Sequence, residues 1–198
     1  MKEYILKTRL LDRSRKLILT PDYIAFENKD LKGQEFTRIE KADIVDFRRY
    51  VERIVWYEFS VGTRYVIAFK TQNNSELKIT LRSYFGASQQ SIFNDILNTC
   101  WDNYCVPLIE SLYDTFLDNQ DVILHNHTLN RQGITLPNGN HLDWCDVSLK
   151  EYHSYFTVHK TDAPALHART SLKNYESLQL WSLTKTILRD RTIPDHNP

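Results

Sequence analysis

The sequence predicts an α+β fold: two antiparallel β-barrel or sandwich units, each closed by a C-terminal helix, joined by a long central helix. Three observations predict it. Residues 4 to 82 alternate apolar and polar side chains in short runs separated by turn residues, the pattern of half-buried strands. Ser88 to Asn119 carries helical spacing, and strand patterning then resumes after Asp121 and ends in a second helical run. The expected boundaries are a first unit over 1–120, including the connecting helix at about 88–119, a smaller second unit over 121–191, and a disordered tail over 192–198.

In the first unit, Tyr4 to Leu6, Lys16 to Thr20 and Tyr23 to Glu27 are strand candidates, with Pro21-Asp22 as the turn between the last two. Asn28 to Gly33 is a polar loop. Beyond it come Phe36 to Ile39, Ile44 to Tyr50, Val55 to Ser60, Tyr65 to Lys70 and Leu77 to Leu81, with Gln72 to Ser75 as a hairpin turn. Seven or eight strands result.

The central helix carries apolar pairs every four residues, from Ile92-Phe93 through Ile96-Leu97, Cys100-Trp101, Tyr104-Cys105, Leu108-Ile109 and Leu112-Tyr113 to Phe116-Leu117. Four residues turn about 400°, so the stripe drifts roughly 40° at each step. The first half is therefore expected to pack on the strands N-terminal to it, and the second half on the strands C-terminal to it. Pro107 removes a hydrogen bond and crowds the carbonyl four residues back, so the helix either kinks there or restarts with Pro107 in a new first turn.

Six strands are expected in the second unit: Val122 to Thr128, Gly133 to Leu136, His141 to Trp144, Val147 to Tyr152, Tyr155 to His159 and Ala165 to Thr170. Asn138-Gly139 is a short-hairpin turn. A closing helix over about Asn174 to Arg189 sets Leu180, Trp181, Thr184, Ile187 and Leu188 on one face.

The halves repeat each other. Leu19 to Phe26 with the later Asp43-Ile44 corresponds to Leu129 to Leu136 with the later Asp146-Val147, and Tyr65 to Thr71 corresponds to Tyr155 to Thr161. A hairpin of the form Lys16-Leu17-Ile18-Leu19-Thr20 then Tyr23-Ile24-Ala25-Phe26, an Asp43-Ile44 step, further antiparallel strands and a closing helix resembles the pleckstrin-homology-like superfamily, which includes the GRAM and bacterial PH domains. The likeness runs through the chain twice. It implies a binding module for phosphoinositides, peptides or proteins rather than an enzyme, and does not choose among those ligands.

Composition narrows the class. With 198 residues and 41% apolar side chains the chain can bury a substantial core. Its 25 basic and 25 acidic residues balance, as they do on each side of Gln120 (17 and 17, then 8 and 8), so neither half reads as a general polyanion binder and no nucleic-acid partner is expected. Met1 to Lys16 is interrupted by charges and lacks a signal-like apolar core, and the three cysteines suit a reducing compartment, so a cytoplasmic location is expected. Only five glycines occur, none paired into a phosphate-cradling loop, and no nucleophile motif is present. No enzymatic activity and no cofactor are expected.

Candidate sites come from charge and aromatic placement. No Lys or Arg lies between Arg82 and Arg131, while Glu110, Asp114 and Asp118 step by four along the helix as an acidic ridge. Such a ridge fits a basic protein partner, or simple solubility of an exposed helix. Trp56, in the two-sided apolar run Ile54 to Phe59, is a candidate aromatic anchor. Together these predict a protein-binding adaptor or regulatory module, its partner docked on the acidic helix and the cleft between units. The alternative is peripheral binding to anionic or phosphorylated lipid through Arg9, Arg13, Arg15, Lys16, Arg48 and Arg49, unless neighbouring acids quench that patch. A more distant reading takes His141, Asp143 and Cys145, facing outward, with His125 and His127 on an adjacent strand, as zinc ligands of a metal-dependent hydrolase, in a spacing that matches no zinc motif. Ordinary outward polar residues on a sheet account for the same set.

Overall fold

The computed structural model describes residues 1–7, 13–30, 32–84 and 89–192. Arg9, the helix start at Ser88 and the 193–198 part of the tail lie outside those residues. The chain divides into two compact units, Met1–Pro107 and Leu108–Pro198. It is α+β and mostly antiparallel, with four separate sheets and no closed barrel among the described residues. No described helix is long and apolar enough to cross a membrane.

Unit 1 opens with a four-stranded antiparallel meander of β1 (Lys2–Lys7), β2 (Ser14–Leu19), β3 (Tyr23–Glu27) and β4 (Phe36–Glu40). A 3-10 turn, Lys41–Asp43, leads to a three-stranded meander of β5 (Ile44–Trp56), β6 (Phe59–Thr71) and β7 (Glu76–Tyr84). The expected break between Ile44 to Tyr50 and Val55 to Ser60 is absent. β5 and β6 pair along 13 residues each and turn only at Tyr57-Glu58, where Tyr57 takes a φ of 52°. That turn contains neither Gly nor Pro, so nothing in the local sequence announced it. Gly62, beside the bulge at Ile54/Val55, sits so close to β7 that a Cβ would lie 2.2 Å from the Ser83 carbonyl oxygen.

The unit's helix is α1 (Gln90–Cys100), continued by a π-helical turn at Trp101–Cys105. Phe93 stacks near Tyr65 with ring centroids 5.0 Å apart, Trp101 meets Phe47 edge-on at 5.9 Å, and Tyr104 meets Phe69 edge-on at 5.9 Å. The Tyr104 hydroxyl lies 2.5 Å from the Thr20 carbonyl oxygen and 2.9 Å from that of Tyr23. It supplies a donor to a β2–β3 turn that would otherwise be buried short of one. Val106 N–H reaches back five residues to Trp101 O in the π turn, and Pro107 falls in the first turn of α2 (Val106–Leu117). The wider turn makes room where proline would crowd the preceding carbonyl, so the helix restarts rather than breaks.

Unit 2 repeats the plan. α2 contributes Leu112, Tyr113 and Phe116 to its core. Next come a four-stranded meander of β8 (Val122–Leu124), β9 (His127–Leu129), β10 (Gly133–Thr135) and β11 (His141–Asp143), and a 3-10 turn at Trp144–Asp146. β12 (Val147–Glu151), β13 (Tyr155–Lys160) and β14 (Ala163–Ser171) form the second meander, and α3 (Ser177–Thr192) closes the unit. The expected single strand Val122 to Thr128 is a hairpin, so the described residues of this unit form seven strands, not six. His125 and Asn126 turn it with φ of 49° and 61°, the pair of left-handed residues that a type I′ loop demands. His125 hides that signal, because the usual Asn-Gly spelling is absent. α3 starts three residues later than expected, since Glu176 takes a φ of 64° and Ser177 Oγ donates to the Asn174 carbonyl. Leu180, Leu183 and Ile187 enter the core with Trp144 and Phe116.

The repeat extends to hydrogen bonds. Thr20 Oγ1 accepts from the N–H groups of Asp22 and Tyr23, and Asn130 Oδ1 from those of Gln132 and Gly133. Gln72 N–H donates to Asp43 O at 2.9 Å and Thr161 N–H to Asp146 O at 2.7 Å. Those bonds align Gln72 with Thr161, one residue out of step with the sequence match.

Candidate functional site

Among the described residues of unit 1, the β5–β6 hairpin carries a run of strongly exposed apolar side chains. Antiparallel pairing through Trp56↔Phe59 extends the two strands to the last residues before the turn, where Val55, Trp56, Tyr57 and Phe59 are 59%, 67%, 88% and 75% exposed. The Trp56 and Tyr57 rings lie 6.1 Å apart. Arg49 and Arg53 stand on the same hairpin with no carboxylate partner among the described residues. Glu52 pairs with Arg64 across it.

The remaining cations proposed for lipid are engaged nearby. Arg13 pairs with Glu27 and, at 3.3 Å, with Asp30; Arg15 reaches Asp30 at 3.2 Å. Lys16 reaches Glu3 at 2.7 Å and Arg48 reaches Glu76 at 2.8 Å. Arg13 and the Lys16 backbone N–H hold the Glu27 carboxyl below the usual carboxylate range. Of that set, Arg49 is the one described cation without a carboxylate partner.

In unit 2, Glu110, Asp114 and Asp118 are exposed and have no ion pair among the described residues. Trp56 belongs to the other unit. The histidine set does not gather. β11 pairs with β10, not β9; His141 and Asp143 are exposed on β11, whereas His127 is almost wholly buried on β9. His127 Nδ1 donates to the His125 carbonyl at 2.9 Å, and its Nε2 is enclosed without a partner. Burial accordingly lowers its pKa. His125 is held at its turn, where its N–H donates to Glu176 at 2.6 Å and Asn174 Nδ2 lies 3.0 Å from its ring Nε2. Among the described residues no group of three or more His, Cys, Asp or Glu could hold a metal ion. Cys100 and Cys105 are buried, and desolvation raises both thiols well above the normal range, so neither is a thiolate nucleophile.

Sequence reasoning missed a groove of about 740 Å³ between β12 and α3. Trp144, Val147, Leu149, Trp181 and Leu188 give it apolar walls, with Glu151, Lys185 and Arg191 also lining it. Lys185 Nζ lies 4.6 Å from the centre of the Trp181 ring, and Arg191 donates to the Arg131 carbonyl at 2.7 Å. β12 is the edge of its sheet, so one row of its backbone donors and acceptors has no strand beside it. The apolar spacing of β12 and α3 was legible, but only folding sets one beside the other. No protein-family model, curated protein or solved structure matches the chain.

Proposed function

We propose that the chain is a non-enzymatic recognition protein of two PH-like units, and that unit 2 captures an extended segment of a partner protein along β12. The groove between edge strand β12 and α3 carries this reading. An added strand would satisfy the open backbone row of β12, while its alternate side chains would enter the walls formed by Trp144, Leu149, Trp181 and Leu188. The repeated order of four strands, three strands and a helix supports the PH-like assignment. Glu110, Asp114 and Asp118, unpaired on α2, suit a basic stretch of the same partner.

The test is selection of peptides from a random library against the intact chain, with titration and amide-shift mapping of those selected. Peptides with alternating apolar residues should perturb the amides of Val147–Glu151, and Leu149→Glu or Leu188→Glu should weaken them about tenfold or more. Selected peptides that map elsewhere and bind both variants unchanged would remove the reading. A second reading is contact with an anionic lipid surface by the β5–β6 hairpin. It is favoured by the exposed aromatic tip above Arg49 and Arg53, and it replaces the larger basic patch whose other described members are ion-paired.

A further inference from the structure

The outer face of the second meander in unit 2 has an unusual composition. Strand register sets side chains in rows across all three strands. Lys150, Thr157 and Arg169 form one row, and Ser148, His159 and His167 form the next. Residues two apart on a strand share a face, so both rows lie on the same side of the sheet, with Tyr152 and Tyr155 beyond the first. Lys150, Thr157, Arg169, His159 and His167 of these rows line a cavity of about 380 Å³, and among the described residues no carboxylate lines it.

The cations there are held in place by rings rather than by acids. The Arg169 guanidinium lies 3.7 Å from the centre of the Tyr155 ring, Tyr155 stacks on Tyr152 at 4.5 Å and 16°, and Lys150 Nζ lies 5.3 Å from the Tyr152 ring. This stack orients both cations toward the same side of the sheet while leaving their N–H donors without an anionic partner among the described residues. Directly opposed neighbours in a sheet stand about 5 Å apart, so Lys150 and Arg169 flank Thr157 across roughly 10 Å. Thr157, which also lines the cavity, therefore stands between the two cation-bearing strands. The histidines extend the donor set. His167 Nδ1 lies 3.0 Å from the Pro164 carbonyl oxygen and 3.2 Å from that of Ala165, so it donates and Nε2 is the nitrogen left for a ligand. His159 Nδ1 is enclosed with no partner among the described residues, which leaves its Nε2 as the outward nitrogen.

We infer that this face binds a phosphate monoester, with Arg169 and Lys150 on its oxygens, Thr157 donating between them, and His159 and His167 bordering it. Two like charges and two imidazoles converge on a surface with no counter-charge, an arrangement that an anion with several oxygens relieves and a neutral ligand does not. A phosphate monoester offers three terminal oxygens to the two cations and the Thr157 hydroxyl, where a carboxylate offers two. The ester could be carried by a soluble metabolite or a lipid headgroup. The site lies on the face of the β12–β14 sheet, and β12, which edges the peptide groove, supplies its Lys150.

The experiment titrates the intact chain at physiological salt with glycerol 3-phosphate, and separately with vesicles of phosphatidylcholine with and without phosphatidic acid. Shifts of the His159 and His167 ring signals are monitored. Saturable binding to the soluble ester alone assigns a metabolite, and binding only to phosphatidic acid vesicles assigns a headgroup; either supports the site. Lys150→Gln with Arg169→Gln should weaken binding at least tenfold. Thr157→Val should weaken it severalfold, and Arg169→Lys should fall between the two. Because Arg169 also stacks on Tyr155, each variant's unfolding midpoint is measured in parallel, and Lys78→Gln on β7 serves as a charge control. Absence of saturable binding to both probes, or binding equally weakened by Lys78→Gln, overturns the inference.

Discussion

The two units share a plan and differ in one hairpin. Among the described residues each runs four strands, a 3-10 turn, three strands and a helix, and each ties the turn between its second and third strands with the same side-chain device, Thr20 in one and Asn130 in the other. Thr20 O lies 2.5 Å from the Tyr104 hydroxyl of the unit's own helix, and Asn130 O accepts from the Trp144 indole at 2.7 Å in the 3-10 turn. The first hairpin of the second meander, however, pairs 13-residue strands in unit 1 and strands of 5 and 6 residues in unit 2. Lengthening gives unit 1 an apolar tip, while unit 2 has a compact face of Lys150, Arg169 and two tyrosines. Charge diverges as well: Met1–Pro107 holds 17 basic and 14 acidic residues, and Leu108–Pro198 holds 8 and 11. The lesson is that backbone devices repeat where they close turns, whereas surfaces that could meet ligands do not repeat.

The largest effect should come from the core that α2 completes. Phe116 is 2% exposed, stacks on Tyr113 at 6.0 Å and meets Trp144 edge-on at 6.0 Å. Phe116→Ala should cost unit 2 about 3–5 kcal/mol. Hydrogen exchange should show Val122 to Ile187 losing protection while β5 to β7 keep theirs; equal loss in both units would mean that they unfold as one.

Acid should separate the units next. His127 in unit 2 has a pKa lowered by burial, so in the window below about 6.5 the unfolded chain binds a proton that the folded unit does not. Unit 2 is therefore fully stable above that pH and weakens as pH falls toward the lowered value. In unit 1, Glu27 is held low chiefly by Arg13; its contribution is complete above about pH 4.3 and is lost as pH falls through the depressed value. Unit 2 should lose protection first on acidification. His127→Gln should flatten its response as pH falls below about 6.5, and an unchanged profile would show that another group governs it.

The smallest stability effect belongs to the hairpin tip. Trp56, Tyr57 and Phe59 are exposed, so their joint replacement by Ser should change unfolding free energy by only about 0.5 kcal/mol or less. If the tip meets lipid, the same variant should lose flotation with anionic vesicles at physiological salt, as should Arg49→Ala with Arg53→Ala. Retained flotation in both would sink the lipid reading; a large loss of stability would mean that the tip packs on its own unit.

Most strands, the central helix, a discontinuity at Pro107 and the echo of Leu19 to Phe26 in Leu129 to Leu136 were legible because each rests on local periodicity or a local backbone constraint; the spacing alone did not choose between a kink and a restart at Pro107. Turns built without their usual residues were not. Tyr57-Glu58 and His125-Asn126 reverse the chain because the flanking strands pair, a nonlocal cause that overrides weak turn propensity.

By itself the sequence determined the α+β alternation, the drifting apolar stripe and the existence of a repeat, since these depend only on side-chain spacing along one chain. Tertiary structure alone decided which charges cancel, which histidine is buried, and which side chains share a surface. Arg13, Arg15, Lys16 and Arg48 looked like an anion site until pairing set Glu27, Asp30, Glu3 and Glu76 beside them. Lys150 and Arg169, 19 positions apart in the sequence, share a cavity without an acid because β13 registers Thr157 between them. Electrostatic and packing energies depend on distances of a few ångströms, and those distances are set by strand register rather than by order along the chain.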